Sequence, residues 1–150
     1  MTKKIKVIVP VATDIWNEPT LSEMQKYKDS ETSIDIVSLK KGPESIEDSY
    51  DDAWSALFTI QEVLKAEKEG YDGLIIYCYG DPALRAAKEA VKIPVVGLGE
   101  GSATFASLLG HKFGIVTAGP PESGAYLMDN LRIQANWHYR ARHRPYFDEP

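Results

Sequence analysis

Only one cysteine, Cys78, occurs in this 150-residue chain. No disulfide can form within it, and a reducing cytoplasm is the expected compartment. Long apolar runs are also missing: none approaches the ~18 residues of a membrane span. The basic start, Met1 to Lys6, leads into an apolar stretch too short for the core of a secretory signal before Pro10 intervenes. Basic charge is not in excess. A net charge of -5 argues against a general nucleic-acid surface. The three histidines form no metal set: His111 follows a glycine in a turn, and His138 and His143 stand five apart, on different faces of any helix. Gly97-Leu-Gly-Glu-Gly101 lacks dinucleotide-loop spacing and follows a late strand, so its glycines read as easing a turn.

What is present is an ordinary globular balance, 43% hydrophobic and 26% charged, enough for one domain with a core. Short apolar runs at Ile5 to Val9, Ser33 to Leu39, Gly73 to Tyr77, Ile93 to Gly97 and Lys112 to Thr117 read as strands. Between them lie helical patterns over Leu21 to Lys28, Ser45 to Glu69, Pro82 to Val91 and Glu100 to Leu109. In the long second helix, Tyr50, Trp54 and Leu57 belong to an apolar stripe expected to face the core, and Gly70 is placed just past its end. Strand–helix alternation predicts an α/β fold of the flavodoxin-like kind, three layers with a parallel sheet covered on both faces. Ligands in such folds lie beyond the carboxyl ends of the strands, the edge that carries Cys78, the segment after Val9, and Gly97 to Gly99.

Cys78 stands in Tyr77-Cys-Tyr-Gly-Asp-Pro82, between a strand and a helix. Asp81-Pro82 is a helix-start signal, Asp as N-cap and Pro at the first helical position. A thiol just before a helix N-terminus meets free N–H groups that lower its pKa, and the same groups suit an anionic substrate. The Asp81 charge opposes that shift. The alternative reading is a small, unreactive residue closing a strand. A cysteine-phosphatase cradle is excluded, because six residues rather than five separate Cys78 from Arg85.

Three stretches, Lys41 to Ala53, Ala66 to Ser102 and Ala106 to Thr117, resemble the aspartate/glutamate/hydantoin racemase superfamily, its hydantoin-racemase-like branch most closely. The Cys-x-Gly-Asp-Pro turn followed by Ile93-Pro-Val-Val-Gly97 is the specific part of the match. The resemblance implies a cofactor-independent isomerase of two similar halves, each bringing one cysteine to a shared cleft. One thiolate removes the α-proton and the opposite thiol returns one. Cys78 matches the first of those cysteines. Substrate contacts are expected from Pro10, Thr13, Tyr79, Gly80, Asp81, Gly99 and Thr117, with a small carboxylate or hydantoin-like substrate and no metal.

The chain departs from the family pattern at Val9-Pro-Val-Ala-Thr13, where two asparagines of the usual first loop are missing. Lys112 to Ala118 echoes Lys4 to Pro10 as though a second half opened near residue 112 and then stopped. Residues 1–117 therefore read as the racemase-like unit and 118–150 as an atypical tail, rich in arginine and aromatic residues. Three accounts fit: a truncated or frameshifted racemase, inactive without its second cysteine; a shortened relative that binds a small anion without turnover; or a homo-oligomer in which Cys78 of two chains face each other. RNA contact through the tail is a further alternative, opposed by the acidic total.

Overall fold

The computed structural model describes residues 2–115. Its elements are β1 (Lys3–Val9), α1 (Asn17–Gln25), β2 (Thr32–Ser38), α2 (Ser49–Lys68), β3 (Gly73–Ile76), α3 (Leu84–Ala90), β4 (Val95–Gly97) and α4 (Leu98–Leu109). The four strands form one parallel sheet in the order β2-β1-β3-β4. β1 pairs with β2 along its whole length, Lys3 opposite Thr32 through Val9 opposite Ser38, and Val7 lies opposite Ile75 of β3. The chain leaves β1 for one side and returns across it to β3 on the other. Their carboxyl ends therefore form the switch point where open α/β sheets hold ligands.

Alternation along the strands divides the apolar residues between two faces. Ile8, Leu74, Ile76 and Val95 join Val63 and Ala66 of α2 and Leu84 and Ala87 of α3 in the main core. The opposite face carries Val7, Ile75 and Val96, and α4 comes against it where Gly101 lies beside Val96. Helices thus cover both faces, in the three-layer arrangement expected.

α2 begins where Asp48 caps it, its side chain accepting the N–H groups of Tyr50 and Asp51 at 2.9 and 3.0 Å. It ends in a full Schellman motif: Gly70 N–H reaches Glu67 O, Tyr71 N–H reaches Ala66 O, and Gly70 takes φ +80°. The position assigned to Gly70 is correct. The buried face is not. Ser55, Thr59, Val63 and Ala66 point inward, while Tyr50, Trp54 and Leu57 are exposed. Small residues win because α2 lies close on the sheet, and their hydroxyls are satisfied there. Ser55 Oγ donates to Pro10 O at 2.7 Å, and Thr59 Oγ1 to Ser55 O at 3.1 Å.

Other boundaries differ as well. α1 starts four residues before its predicted start, since Pro19 is tolerated in a first turn that needs no N–H. Residues 112–115, expected to open a fifth strand, carry no regular structure. The rest of that strand, Thr117 and the 118–150 tail lie outside the described residues. Among the described residues, no helix is long and apolar enough to cross a membrane.

Candidate active site

β1 and β3 deliver two loops to the switch point. After Val9 the chain runs through buried Pro10 and Val11 to half-buried Thr13. Leu39 N–H donates to Val11 O and Ala12 N–H to Pro43 O, which ties this loop to the segment after β2. Ser55 Oγ holds the Pro10 carbonyl from the α2 side. After β3, Tyr77 N–H still bonds Ile8 O at 2.8 Å, so the next residue, Cys78, leaves the sheet beside the β1 loop. The thiol is half-buried.

The turn that follows departs from the sequence expectation. Asp81 and Ala83 both adopt left-handed backbone, φ 51° and 60°, and α3 begins only at Leu84 with no side-chain cap. Asp81 is therefore not the N-cap of α3. Its carboxylate reaches sideways to α4 instead, accepting Gly99 N–H at 2.9 Å and Glu100 N–H at 2.6 Å. Those are the second and third residues of α4, the positions an N-cap side chain serves. The residue in the cap position is Gly97, which has no side chain to offer, and a Cβ there would lie 2.4 Å from the Asp81 carboxylate. Two sequence-distant loops thus share one cap. Burial pushes the Asp81 carboxyl up from its ordinary value, with the Glu100 and Gly99 N–H groups pulling it down.

Cys78 is likewise pushed up, not down. Burial is the largest cause; the N–H of Gly80 pulls the other way, and the Asp81 and Asp52 carboxylates raise it further. The lowering expected from a helix N-terminus fails for a structural reason. The α3 N-terminus is displaced by two left-handed residues, and the N–H groups opening α4 are taken by Asp81. At neutral pH the resting sulfur is a thiol, hydrogen-bonded by Gly80 and facing negative charge.

Two cavities flank this region. One of about 530 Å³ lies at the carboxyl ends of β1 and β2, bordered by Thr13, Asp14, Asn17, Ser38 and Glu44. Another of about 270 Å³ lies between Tyr79, Ser102 and Ala106 of α4, and Phe113. Thr13 and Tyr79 thus border different cavities, while Pro10 lies in the β1 loop and Gly80 and Asp81 in the turn that follows Cys78. The N–H of Gly99 is engaged by Asp81. Among the described residues, no group of three or more His, Cys, Asp or Glu is placed to hold a metal ion.

The family model for Asp/Glu/hydantoin racemase matches residues 5–136. The chain belongs to the Asp/Glu/hydantoin racemase family. Hydantoin racemase of Pseudomonas sp. (strain NS671) is 43% identical over 117 residues, covering 78% of this chain and 47% of that protein. Hydantoin racemase of Paenarthrobacter aurescens is 35% identical over 118 residues, with 78% and 50% covered. Among solved structures, allantoin racemase from Klebsiella pneumoniae superposes with a TM-score of 0.81 at 28% identity, covering 87% of this chain and 53% of that one. The chain therefore spans about half the length of the racemases it matches.

Two contributors around the racemase-like turn were not singled out from sequence. Asp52, which acts on the thiol, and Ser55, which holds Pro10, both sit in the first half of α2. The pair lies in and just past the matched Lys41 to Ala53 stretch, but only the packing of α2 against β1 brings it to the switch point.

Proposed function

We propose that this chain forms the half of a cofactor-independent hydantoin-type racemase that carries Cys78, and that the Cys78 sulfur exchanges a proton at the substrate α-carbon. The observation that carries this reading is the placement of Cys78. It lies two residues past the end of β3, next to Tyr77, whose N–H still bonds Ile8 O of β1, with the Gly80 N–H directed to its sulfur. Pro10 and Thr13 from the β1 loop, with Tyr79, Gly80 and Asp81 from the thiol turn, form the walls of the substrate site. Gly99 serves it indirectly, by fixing Asp81, and Thr117 is proposed to complete it.

The electrostatics bear on the substrate. Two carboxylates raise the thiol, so a negatively charged substrate would meet repulsion there. A hydantoin ring is uncharged in water near neutrality and presents amide N–H donors and carbonyl acceptors. Its α-proton is acidified by the adjacent carbonyl, since the carbanion delocalises onto that oxygen. In the exchange step the Cys78 thiol first loses its proton to solvent; the thiolate takes the α-proton, the C–H electron pair passes into the enolate, and the resulting thiol, after exchange with solvent, returns a proton to the same carbon. Inversion requires a second proton donor on the opposite face. The same carboxylates count against the alternative, a domain that binds small anions without turnover.

Deuterium incorporation from heavy water at the α-carbon of 5-substituted hydantoins tests the proposal, with Cys78→Ser as the comparison. Exchange that depends on Cys78 supports it. Exchange equal in the two proteins, or absent from both across a range of 5-substituents, overturns it.

A further inference from the structure

The larger of the two cavities, of about 530 Å³, is a cleft built from the carboxyl ends of β1 and β2 and the start of α1. Strand register fixes how far it lies from the thiol. Ser38 on its wall pairs with Val9, the last residue of β1. On the other side of β1, Tyr77 extends the β1–β3 ladder by one step through its bond to Ile8 O. Ser38, Val9 and Tyr77 therefore form one row across the sheet, two strand spacings or about 10 Å wide. Cys78 follows Tyr77 at one end of that row, and the cleft opens at the other.

The lining of the cleft is polar. Ser38 Oγ donates to Asn17 Oδ1 at 2.7 Å, and the Thr13 side chain stands beside them. Asp14 and Glu44 border the cleft, both exposed, and among the described residues neither carboxylate is paired with a lysine or arginine. Lys40 and Lys41 border the neighbouring cavity instead, beside Phe58 and Glu62. Exposed carboxylates are ordinary on a surface, but these two flank a concavity within reach of a molecule held at Cys78. A hydantoin whose α-carbon faces the sulfur carries its substituent on that same carbon. Extended over the end of β1, a substituent the length of a lysine side chain brings its tip to Thr13, Asp14 and Glu44. Carboxylates there favour a cation and repel a second carboxylate. Asp52 and Asp81, which act on the thiol, give the whole edge the same sign. We propose that this cleft receives the 5-substituent of the hydantoin and selects substituents that end in an ammonium group. This placement rests on Cys78 as the proton-exchanging residue, but binding is measurable without turnover. The smaller cavity, with Ala103, Ala106 and Phe113 in its lining, would select an apolar substituent.

Titration calorimetry of the full chain with the hydantoins derived from lysine and from norleucine tests this, with α-deuterium exchange followed in parallel. The two ligands differ only in the terminal ammonium group. The expected result is about tenfold tighter binding of the lysine hydantoin, an advantage that shrinks in high salt. Asp14→Asn and Glu44→Gln should each remove about threefold of that advantage and leave norleucine hydantoin unaffected. Both side chains are exposed, so the melting curves of these variants should match the parent. Glu62→Gln, on the neighbouring cavity, should alter neither affinity. Equal affinity for the two ligands, tighter binding of norleucine hydantoin, or an advantage kept in both variants would overturn the cleft assignment, even where Cys78-dependent exchange persists. So would the absence of lysine hydantoin binding at about 10 mM. An advantage that depends on Asp14 and Glu44, found without exchange, would uphold the cleft and refute only the proton-transfer role of Cys78.

Discussion

The carboxylate of Asp81 caps α4 across a chain separation of 18 residues, bonding the N–H of Gly99 at 2.9 Å as a local N-cap side chain would. The thiol turn and the last strand–helix junction are locked together by that contact. Lys88 of α3, which also pairs with Glu100, reinforces it. The lock holds the residues after Cys78 in a conformation they would not adopt alone.

Gly97→Ala should be among the most damaging small substitutions in the chain. Its Cβ would fall 2.4 Å from the Asp81 carboxylate, so either the carboxylate or the junction must move. Loss of both N–H bonds should cost about 2–3 kcal/mol. Asp81→Asn, which keeps an acceptor oxygen, should cost less, about 1 kcal/mol. Urea denaturation of the two variants checks the order.

Ala83→Gly should stabilise the protein. Ala83 sits at φ 60°, where an L-residue with a Cβ is strained by about 1–2 kcal/mol. The greater freedom of glycine in the unfolded chain offsets part of the relief, leaving a gain of about 0.5–1 kcal/mol. A melting temperature below that of the parent would show that the turn is not strained at this residue.

Ser55→Ala removes the buried hydroxyl that donates to Pro10 O and leaves that carbonyl without its α2 partner. A loss of about 1–3 kcal/mol is expected. Because Pro10 anchors the β1 loop, hydrogen exchange at Val11 and Ala12 should accelerate more than exchange in β2. Uniform acceleration across the sheet would show that Ser55 supports global stability rather than this loop.

The pH behaviour of Cys78 follows from the direction of its shift. Folding raises its pKa, so the folded protein binds the proton more tightly than the unfolded chain does. The associated stability is fully present below the ordinary thiol range and is lost as pH climbs through the raised value. Alkylation by iodoacetamide should lag a free thiol at neutral pH and accelerate only at higher pH. Cys78→Ser should remove the part of the alkaline stability loss that belongs to this group. Asp52→Asn, which deletes one source of the shift, should move the alkylation profile toward lower pH. A native profile at or below that of a free thiol would contradict the structure.

Much of this architecture is legible in the residues alone. Short Val/Ile runs separated by helical patterns can bury themselves on both sides only in a covered parallel sheet, and four of the five expected strands are present. The expected fifth begins in residues 112–115, which carry no regular structure, and its remainder lies outside the described residues. Gly70 is readable because a left-handed residue after a long helix is strongly biased to glycine. The Cys-x-Gly-Asp-Pro turn marks the family, and Cys78 stands at the switch point that strand order alone suggests.

Long-range contacts were not legible. Asp81-Pro82 looks like a local helix start, and local propensity has no means of registering that two amides from another loop compete for the carboxylate and win. Periodicity places Tyr50, Trp54 and Leu57 on one stripe but cannot say which way the stripe points. A close helix–sheet approach selects small side chains for the inside and turns the bulky ones outward. The protonation of Cys78 follows the same rule. Its place in the chain is a matter of order along the backbone, whereas its charge depends on burial and on carboxylates 26 residues before it and three after, brought near only when the layers close.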